Sequence, residues 1–216
     1  MADWVTISSL ATAGGTLVLA VATFSSVRSA NRSARVAEMA LLAGQRPILV
    51  PSRDDDPLER VRFGDDLVLE VSGHGGAITA KEDNVYMAVA LRNGGSGVAL
   101  IYAWRAEVSD LTGSEMPDLD EFRRQTRDLY IPAGETGFWQ AAIRARDDPW
   151  HRSLRDAAEQ HRRVMIDVLY GDQDGGQRAI ARFSVSEWPN VEGERADVVR
   201  HWNLDRDDPR RASLRN

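Results

Sequence analysis

The pattern of apolar and polar residues divides the chain into a helical first part and a longer part that alternates as β-strands do. No side chain between Trp4 and Val27 is charged, and the second half of this stretch is strongly apolar. The stretch is longer than the roughly 20 residues that an α-helix needs to cross the hydrocarbon core of a bilayer. The pattern therefore predicts a transmembrane helix within residues 1–27, with residues 4–27 in the lipid.

The charges that flank this stretch predict its orientation. Arg28, Arg32 and Arg35 follow it, whereas Asp3 is the only charged side chain before it. Positively charged flanks stay on the cytoplasmic side of a membrane, and a cleavable signal peptide needs a basic segment ahead of its apolar run. We therefore expect a single-pass protein of the inner (cytoplasmic) membrane, with its N-terminus outside and the remainder in the cytoplasm. The alternative is a helix that is buried against a protein partner or within an oligomer.

The helical pattern continues beyond the uncharged stretch. Between Arg28 and Ala43 there is no proline or glycine, and the segment is rich in residues that favour helices. Gly44 is suited to end a helix, and Pro47 prevents the helix from resuming. The sequence therefore predicts a helical stalk over residues 28–45 and a new domain that begins at residue 46.

Beyond the stalk, apolar residues recur at every second position in short segments bounded by turn residues, which is typical of antiparallel β-strands. The clearest of these segments are residues 85–92, 98–108, 164–170 and 177–185. Short helices are expected after Pro117 and Asp147. We therefore predict a mainly β domain over residues 46–187, an antiparallel immunoglobulin-like β-sandwich with one or two short helices. The charged residues 188–216 are predicted to form a C-terminal tail.

A glycine-rich turn joins two of these strands. Residues 93–97 read Asn-Gly-Gly-Ser-Gly, in which the glycines permit positive φ angles and Asn93 is suited to hydrogen-bond the turn. The turn resembles a strand-end motif of bacterial immunoglobulin-like sandwiches that follow an N-terminal membrane helix. Together with residues 129–139 and 164–182, it makes the chain similar to an uncharacterised actinomycete-type bacterial family with that architecture. The resemblance implies a β-sandwich-like domain and a membrane helix, and it implies no activity.

The composition excludes several classes of function. The chain has 27 lysine and arginine residues against 33 aspartate and glutamate residues, a net charge of −6, which argues against a nucleic-acid partner. The chain contains no cysteine, and this excludes disulfides, thiolate metal sites and cysteine nucleophiles. Hydrophobic residues make up 43% of the chain, enough for a packed core.

No motif in the chain assigns a reaction. The four histidines show no metal-ligand spacing, and Ser96 lacks the glycine two residues later that a nucleophile elbow requires. The turn at residues 93–97 lacks the lysine of a P-loop. Residues 172–176 are similar to the start of a calcium loop, but Phe183 occupies the twelfth position, where that loop needs an acid. The sequence therefore predicts no catalytic, cofactor-binding or metal-binding residue and no cofactor.

These observations favour a membrane-anchored, cytoplasm-facing binding or scaffold module over an enzyme. Its predicted partners are the lipid bilayer, through residues 4–27, and an unidentified protein. Trp104, Trp139 and Trp150 are the candidate partner contacts if they are exposed, and core packing is the alternative for each. Two alternatives remain for the whole chain. One is a membrane-associated enzyme of unrecognised type, with a histidine and charged neighbours in a cleft, and the other is a soluble oligomer assembled through the N-terminal helix.

Overall fold

The computed structural model describes residues 4–109, 113, 115–189, 191 and 193–206. The chain forms two compact units that divide after Gly44. The first unit contains one long helix, and the second, which we call the β body, contains the strands and the remaining helices. This arrangement confirms the predicted fold class at the level of a mainly antiparallel β protein with a long N-terminal helix and one further short α-helix.

Helix α1 runs from Trp4 to Gly44 without interruption. Threonine hydroxyls of α1 form hydrogen bonds with carbonyl groups of the preceding turn. The Thr16 hydroxyl donates to the Thr12 carbonyl (2.9 Å), and the Thr23 hydroxyl donates to the Leu19 carbonyl (2.8 Å). The helix exposes large apolar side chains over much of its length; these include Leu17, Val18, Leu19, Val21, Phe24, Val27, Val36, Met39 and Leu41.

The structure corrects the predicted location of this helix. In the part of the chain that the structure describes, no helix combines the length and the apolar character needed to span a membrane. The threonines, serines and glycines of α1 dilute its apolar run, as at Gly14, Gly15 and Thr16. The prediction of a single-pass inner-membrane anchor, with the N-terminus outside and the β domain in the cytoplasm, is therefore wrong.

Among its described residues, the β body contains eleven strands, one α-helix and one 3₁₀ turn, and nine of the strands form a large curled sheet. The strands are β1 (Leu49–Pro51), β2 (Glu59–Arg62), β3 (Val68–Val71), β4 (Gly75–Lys81), β5 (Asn84–Asn93), β6 (Ala99–Val108), β7 (Arg123–Ile131), β8 (Thr136–Ile143), β9 (Val164–Gly171), β10 (Ala179–Glu187) and β11 (Glu194–Asn203). A 3₁₀ turn covers Leu119–Glu121, and helix α2 covers His151–Glu159. These two helical segments lie close to where the sequence predicted short helices.

The large sheet is antiparallel throughout, and its strands follow the order β1-β5-β4-β11-β10-β9-β6-β7. β8 pairs with β5, whereas β7 pairs with β6 at the other end of the order. Only a short turn connects β7 to β8, so the sheet must curl until its two ends approach each other. The inner face of the curled sheet then encloses the main hydrophobic core, which also contains buried residues of α2.

Strand β5 is buried on both faces because of the alternation in its sequence. Val85, Met87 and Val89 face the main core. On the opposite face, Tyr86 and Ala88 belong to a second, smaller core that the β2–β3 hairpin completes. The alternation therefore fixes which side chains each core receives from this strand.

The structure differs from the sequence prediction at the end of the chain. Residues 194–203 were placed in a C-terminal tail, but they form β11, which lies between β10 and β4. Ala196 and Trp202 of this strand are buried. The charged residues that suggested a tail are partly buried in this paired strand: Arg195 and Asp197 alternate with Ala196, whereas Glu194 lies on the same side of the strand as Ala196. Residues 207–216 lie outside the described residues.

Candidate functional site

The Asn93 turn is a structural element whose polar groups are all engaged. Asn93 is fully buried at the end of β5. Its Nδ2 donates to the carbonyls of Gly97 (2.6 Å) and Ile131 (3.0 Å). Its Oδ1 accepts from the backbone N–H groups of Ile48 (3.1 Å) and Gly95 (3.0 Å). These bonds use both donors and both acceptors of the amide, so the side chain joins three segments of the β body.

The three tryptophans predicted as exposed partner contacts are mainly part of the core. Trp139 is fully buried and Trp104 is 5% exposed, whereas Trp150 is half-buried and packs against the main core. Trp104 contacts both of the others edge-to-face, with ring centroids 5.6 Å apart in each case. For Trp104 and Trp139 the structure shows the core packing that the sequence left as the alternative, because β6 and β8 turn them inward. A role for the three rings in partner contact stays a prediction.

The accessible edge of the tryptophan cluster is covered by an ion pair. The Arg123 guanidinium lies 3.7 Å from the centre of the Trp150 ring and pairs with Asp148, with Nη2 donating to Oδ1 at 2.7 Å. This hydrogen bond and the positive charge of Arg123 hold the pKa of the Asp148 carboxyl below its ordinary value. The pair therefore stabilises the start of α2 and leaves Trp150 with little free ring surface.

One histidine lies in a groove beside a carboxylate. His74 Nε2 is 3.2 Å from Asp197 Oδ1, and Ser52 lies next to them in a groove of about 490 Å³. The Ser52 hydroxyl, however, accepts from the backbone N–H of His74 (3.0 Å), and Ser52 is only 2% exposed. Because the hydroxyl is bonded to the backbone and shielded from solvent, Ser52 supports the turn at His74, which has a φ of 57°. The arrangement is not that of a serine nucleophile and its base.

The remaining histidines have structural partners. His151 Nε2 contacts the Asp83 carbonyl (2.6 Å), and His201 Nε2 contacts the Leu49 carbonyl (2.7 Å). His161 Nδ1 lies 3.0 Å from Glu187 on the surface. Among the described residues, no group of three or more histidine, aspartate or glutamate side chains is arranged to hold a metal ion.

A cleft of the β body reaches the two ends of the large sheet. The cleft encloses about 560 Å³, a size common for ligand sites, and is lined by β7, β8, Trp104 of β6 and the tip of the β2–β3 hairpin. β7 and β8 are consecutive but do not pair with each other. Instead, Gln125 Nε2 of β7 donates to the Gln140 carbonyl of β8 (2.9 Å). The cleft is therefore the place where the curled sheet stays open.

Charged and polar side chains close one end of this cleft. Asp65 accepts hydrogen bonds from the Tyr86 hydroxyl and from Arg144, whose Nη2 lies 3.3 Å away. The bond from Tyr86 is the main reason that the pKa of Asp65 lies below its ordinary value, and burial raises the pKa of Tyr86. Asp65 is therefore ionised and hydrogen-bonded to Tyr86 and Arg144. More arginines than acidic residues line the cleft.

A separate acidic side chain bridges β11 and β4. Glu194 is partly buried, and its Oε2 accepts from the backbone N–H of Ile78 at 2.6 Å. Burial raises the pKa of Glu194 from 4.5 to about 7, despite the hydrogen bond, which lowers it. The bridge lies beside the short backbone pairing of the two strands, which includes only Glu194 with Gly76 and Arg195 with Gly75.

We expect Glu194 to make the stability of the β body fall as pH rises. The folded state holds this proton more tightly than the unfolded state, so the contribution is greatest below about pH 4.5 and is lost through about pH 7. The shift corresponds to about 3 kcal/mol of unfolding free energy. Glu194→Gln should remove this dependence, because the amide still accepts from Ile78 and does not titrate. Urea unfolding of both proteins at several pH values measures the difference.

Glu187→Gln is the matched control, because Glu187 lies opposite Glu194 in the β10–β11 pair and is exposed. The control variant should keep most of the decline in stability between these pH values, because the charge of Glu187 makes the smallest of the contributions to the pKa of Glu194. An equal decline in wild type and in Glu194→Gln would contradict the assignment of this dependence to Glu194.

Comparisons of the chain with protein-family models, with curated proteins and with solved structures found no match. The resemblance to an actinomycete-type bacterial family therefore stays a prediction. The function must be inferred from the helix and from the sites on the β body.

Proposed function

We propose that this protein is a binding module that its N-terminal helix assembles into oligomers. The observation that carries the proposal is the exposed apolar surface of α1, which lies on more than one side of the helix. Leu17, Val18 and Leu19 are each about two-thirds exposed and are consecutive in the sequence. Successive residues of an α-helix point about 100° apart, so these three side chains cover a wide arc. A helix that is apolar on several sides is stable when other apolar surfaces cover it.

Further copies of the same helix are the best cover for this surface. The stretch from Trp4 to Val27 has no charge, so identical helices pack along it without burying an ion. Gly14 and Gly15 have no other atoms within 4 Å of the position of an added side chain, so a second helix can approach closely there. At 1.5 Å per residue the 41-residue helix is about 60 Å long, which offers a contact larger than a stable dimer needs.

Light scattering coupled to size-exclusion chromatography tests the assembly. The whole chain should elute with a mass that is a multiple of 23.9 kDa and that persists on dilution. The variant Val21→Gln/Phe24→Gln should shift toward the monomer, because glutamine favours helices but is poorly buried. The control variant Ser26→Gln/Asn31→Gln, at polar positions of the same helix, should keep the wild-type mass. A wild-type monomer, or equal masses for both variants, would contradict self-association.

Two further points of function and fold belong to the proposal. The enzyme alternative has little support, since His74 and Asp197 form a histidine–carboxylate pair in a groove but the neighbouring Ser52 is shielded. An immunoglobulin-like arrangement of the curled sheet remains a proposal about the fold, supported by the main core that the sheet encloses and by the buried Asn93 turn.

A further inference from the structure

The β7–β8 cleft exposes a strand edge that has no neighbouring strand among the described residues. At the start of β8, the Asn93 N–H donates to the Glu135 carbonyl (3.0 Å), so the backbone of residue 135 faces β5. Along an antiparallel strand, residues whose backbone groups face the neighbour alternate with residues whose groups face away. The backbone N–H and C=O groups of Phe138, Gln140 and Ala142 therefore point away from β5, toward the cleft.

The hydrogen bond across the cleft agrees with this direction. The Gln140 carbonyl accepts from the Gln125 side chain, which occupies the position where a paired strand would place an N–H group. β7 itself does not pair with β8, and its pairing with β6 has an irregular register between Ile101 and Ala103. The outward edge of β8 is thus held by one side chain and is open to another backbone.

Two buried amide oxygens in the cleft lack hydrogen-bond donors among the described residues. They are Oε1 of Gln125 and Oε1 of Gln140. The orientation of the Gln125 amide is set, because its Nε2 must face the Gln140 carbonyl. A buried acceptor without a donor is unfavourable, so the cleft suits a ligand that brings N–H groups.

The charge around the cleft is positive. Arg62, Arg127 and Arg144 line it, and Asp65 is the one acidic residue in its lining. Arg144 is paired with Asp65, whereas Arg127 lies over the Phe138 ring, 5.7 Å from its centre, and forms no ion pair with the described residues. Arg62 is paired with Asp66, so Arg127 is the cation of this rim that a ligand with negative charge would complement.

We propose that the cleft binds an extended peptide segment with acidic side chains, which adds to β8 as a further antiparallel strand. The backbone N–H groups of the peptide donate to the Gln140 carbonyl and to the unpartnered amide oxygens, and Gln125 releases the carbonyl that it now occupies. Alternate side chains of an extended peptide point to opposite sides, so acids on one side meet the arginines while apolar residues on the other face Trp104. This inference rests on the binding role proposed above and does not depend on self-association.

The binding test uses the whole chain and a short fluorescein-labelled peptide in which valine alternates with glutamate. Fluorescence anisotropy should show saturable binding, and the same peptide with lysine in place of glutamate should not bind. Arg127→Glu should raise the dissociation constant about ten-fold or more, because it reverses the charge beside the acidic residues. Arg124→Glu is the matched control, since Arg124 is exposed on the same strand outside the cleft, and it should change the affinity less than two-fold, roughly.

Amide hydrogen exchange identifies the binding mode. The N–H groups of Phe138, Gln140 and Ala142 should exchange more slowly when the peptide is bound, and a peptide with N-methyl groups on its paired amides should give no protection. Lack of binding, equal affinity of the two arginine variants, or protection confined to another region would overturn the proposal. If these three amides exchange slowly in the absence of peptide, and this protection disappears when the protein is diluted to the monomer, a second copy of the chain covers the edge. That result would also overturn the proposal.

Discussion

Replacing Arg182 with alanine is expected to destabilise the β body by about 3–5 kcal/mol, because it leaves a buried carboxylate without its main partner. Asp167 is fully buried on β9, directly opposite Arg182 of β10. The guanidinium donates to both carboxylate oxygens, with Nε at 2.7 Å and Nη2 at 2.9 Å. Arg105 provides a weaker contact at 3.2 Å, so part of the compensation remains. Urea unfolding monitored by tryptophan fluorescence measures the loss.

The double variant Asp167→Leu/Arg182→Met is the control for this prediction. It removes both charges and keeps apolar volume, so it should recover more than half of the stability lost by Arg182→Ala. A loss below about 1 kcal/mol for Arg182→Ala would show that Arg105 alone compensates Asp167.

Replacing Asn93 with alanine is expected to cost about 4 kcal/mol of unfolding free energy. The substitution removes the four hydrogen bonds of the amide and leaves the backbone groups that they satisfied inside the body, each loss being unfavourable by about 1 kcal/mol or more. Alanine also leaves a cavity where the Asn93 turn meets the end of β7. Thermal and urea unfolding of the purified variant measure the effect.

Asn84→Ala is the matched control, because the Asn84 side chain makes one hydrogen bond, to the Tyr86 hydroxyl (2.9 Å), at the opposite end of the same strand. Its loss should be about 1 kcal/mol or less. Similar losses for the two asparagine variants would contradict the assigned role of Asn93 in joining the turn to its neighbours.

The elements that sequence could predict are those whose signals are local. The uninterrupted helix up to Gly44 follows from the absence of proline and the stop at Pro47, and β5 follows from its alternation. The Asn93 turn was recognisable because asparagine and glycine are common in turns. Its glycines do not adopt the positive φ that the sequence suggested; Gly95 and Gly97 instead allow the backbone of residues 45–46 to approach closely. Each of these signals is contained within a few residues, so no knowledge of distant partners was needed.

The curl of the sheet and its open cleft could not be predicted, because they depend on which distant strands pair. Gln125 and Gln140 look like ordinary polar residues of half-exposed strands, and nothing in the sequence shows that they meet. β11 could not be predicted for a related reason, since its charged residues hide the two positions, Ala196 and Trp202, that are buried in the paired strand. Glu194 also carries no sequence signal, because its raised pKa results from burial against β4.

The membrane prediction failed because the mean hydropathy of α1 is too low, although its first part carries no charge. The absence of charge from Trp4 to Val27 is genuine, but length without charge is a weaker criterion than mean hydropathy over the same residues. The tryptophans show a similar difficulty. Alternation places Trp139 on one face of β8, but only the curl of the sheet determines that this face is the interior.

The position of β11 in the large sheet affects how the β body can fold during translation. This strand is the last to leave the ribosome among those described, yet it lies between β4 and β10 and joins the two halves of the sheet. During translation, β4 and β10 each keep one edge without a neighbouring strand until residues 194–203 emerge, because no other described strand pairs with these edges. A premature stop before Glu194 would therefore release two incomplete sheets, each with a free edge that invites aggregation.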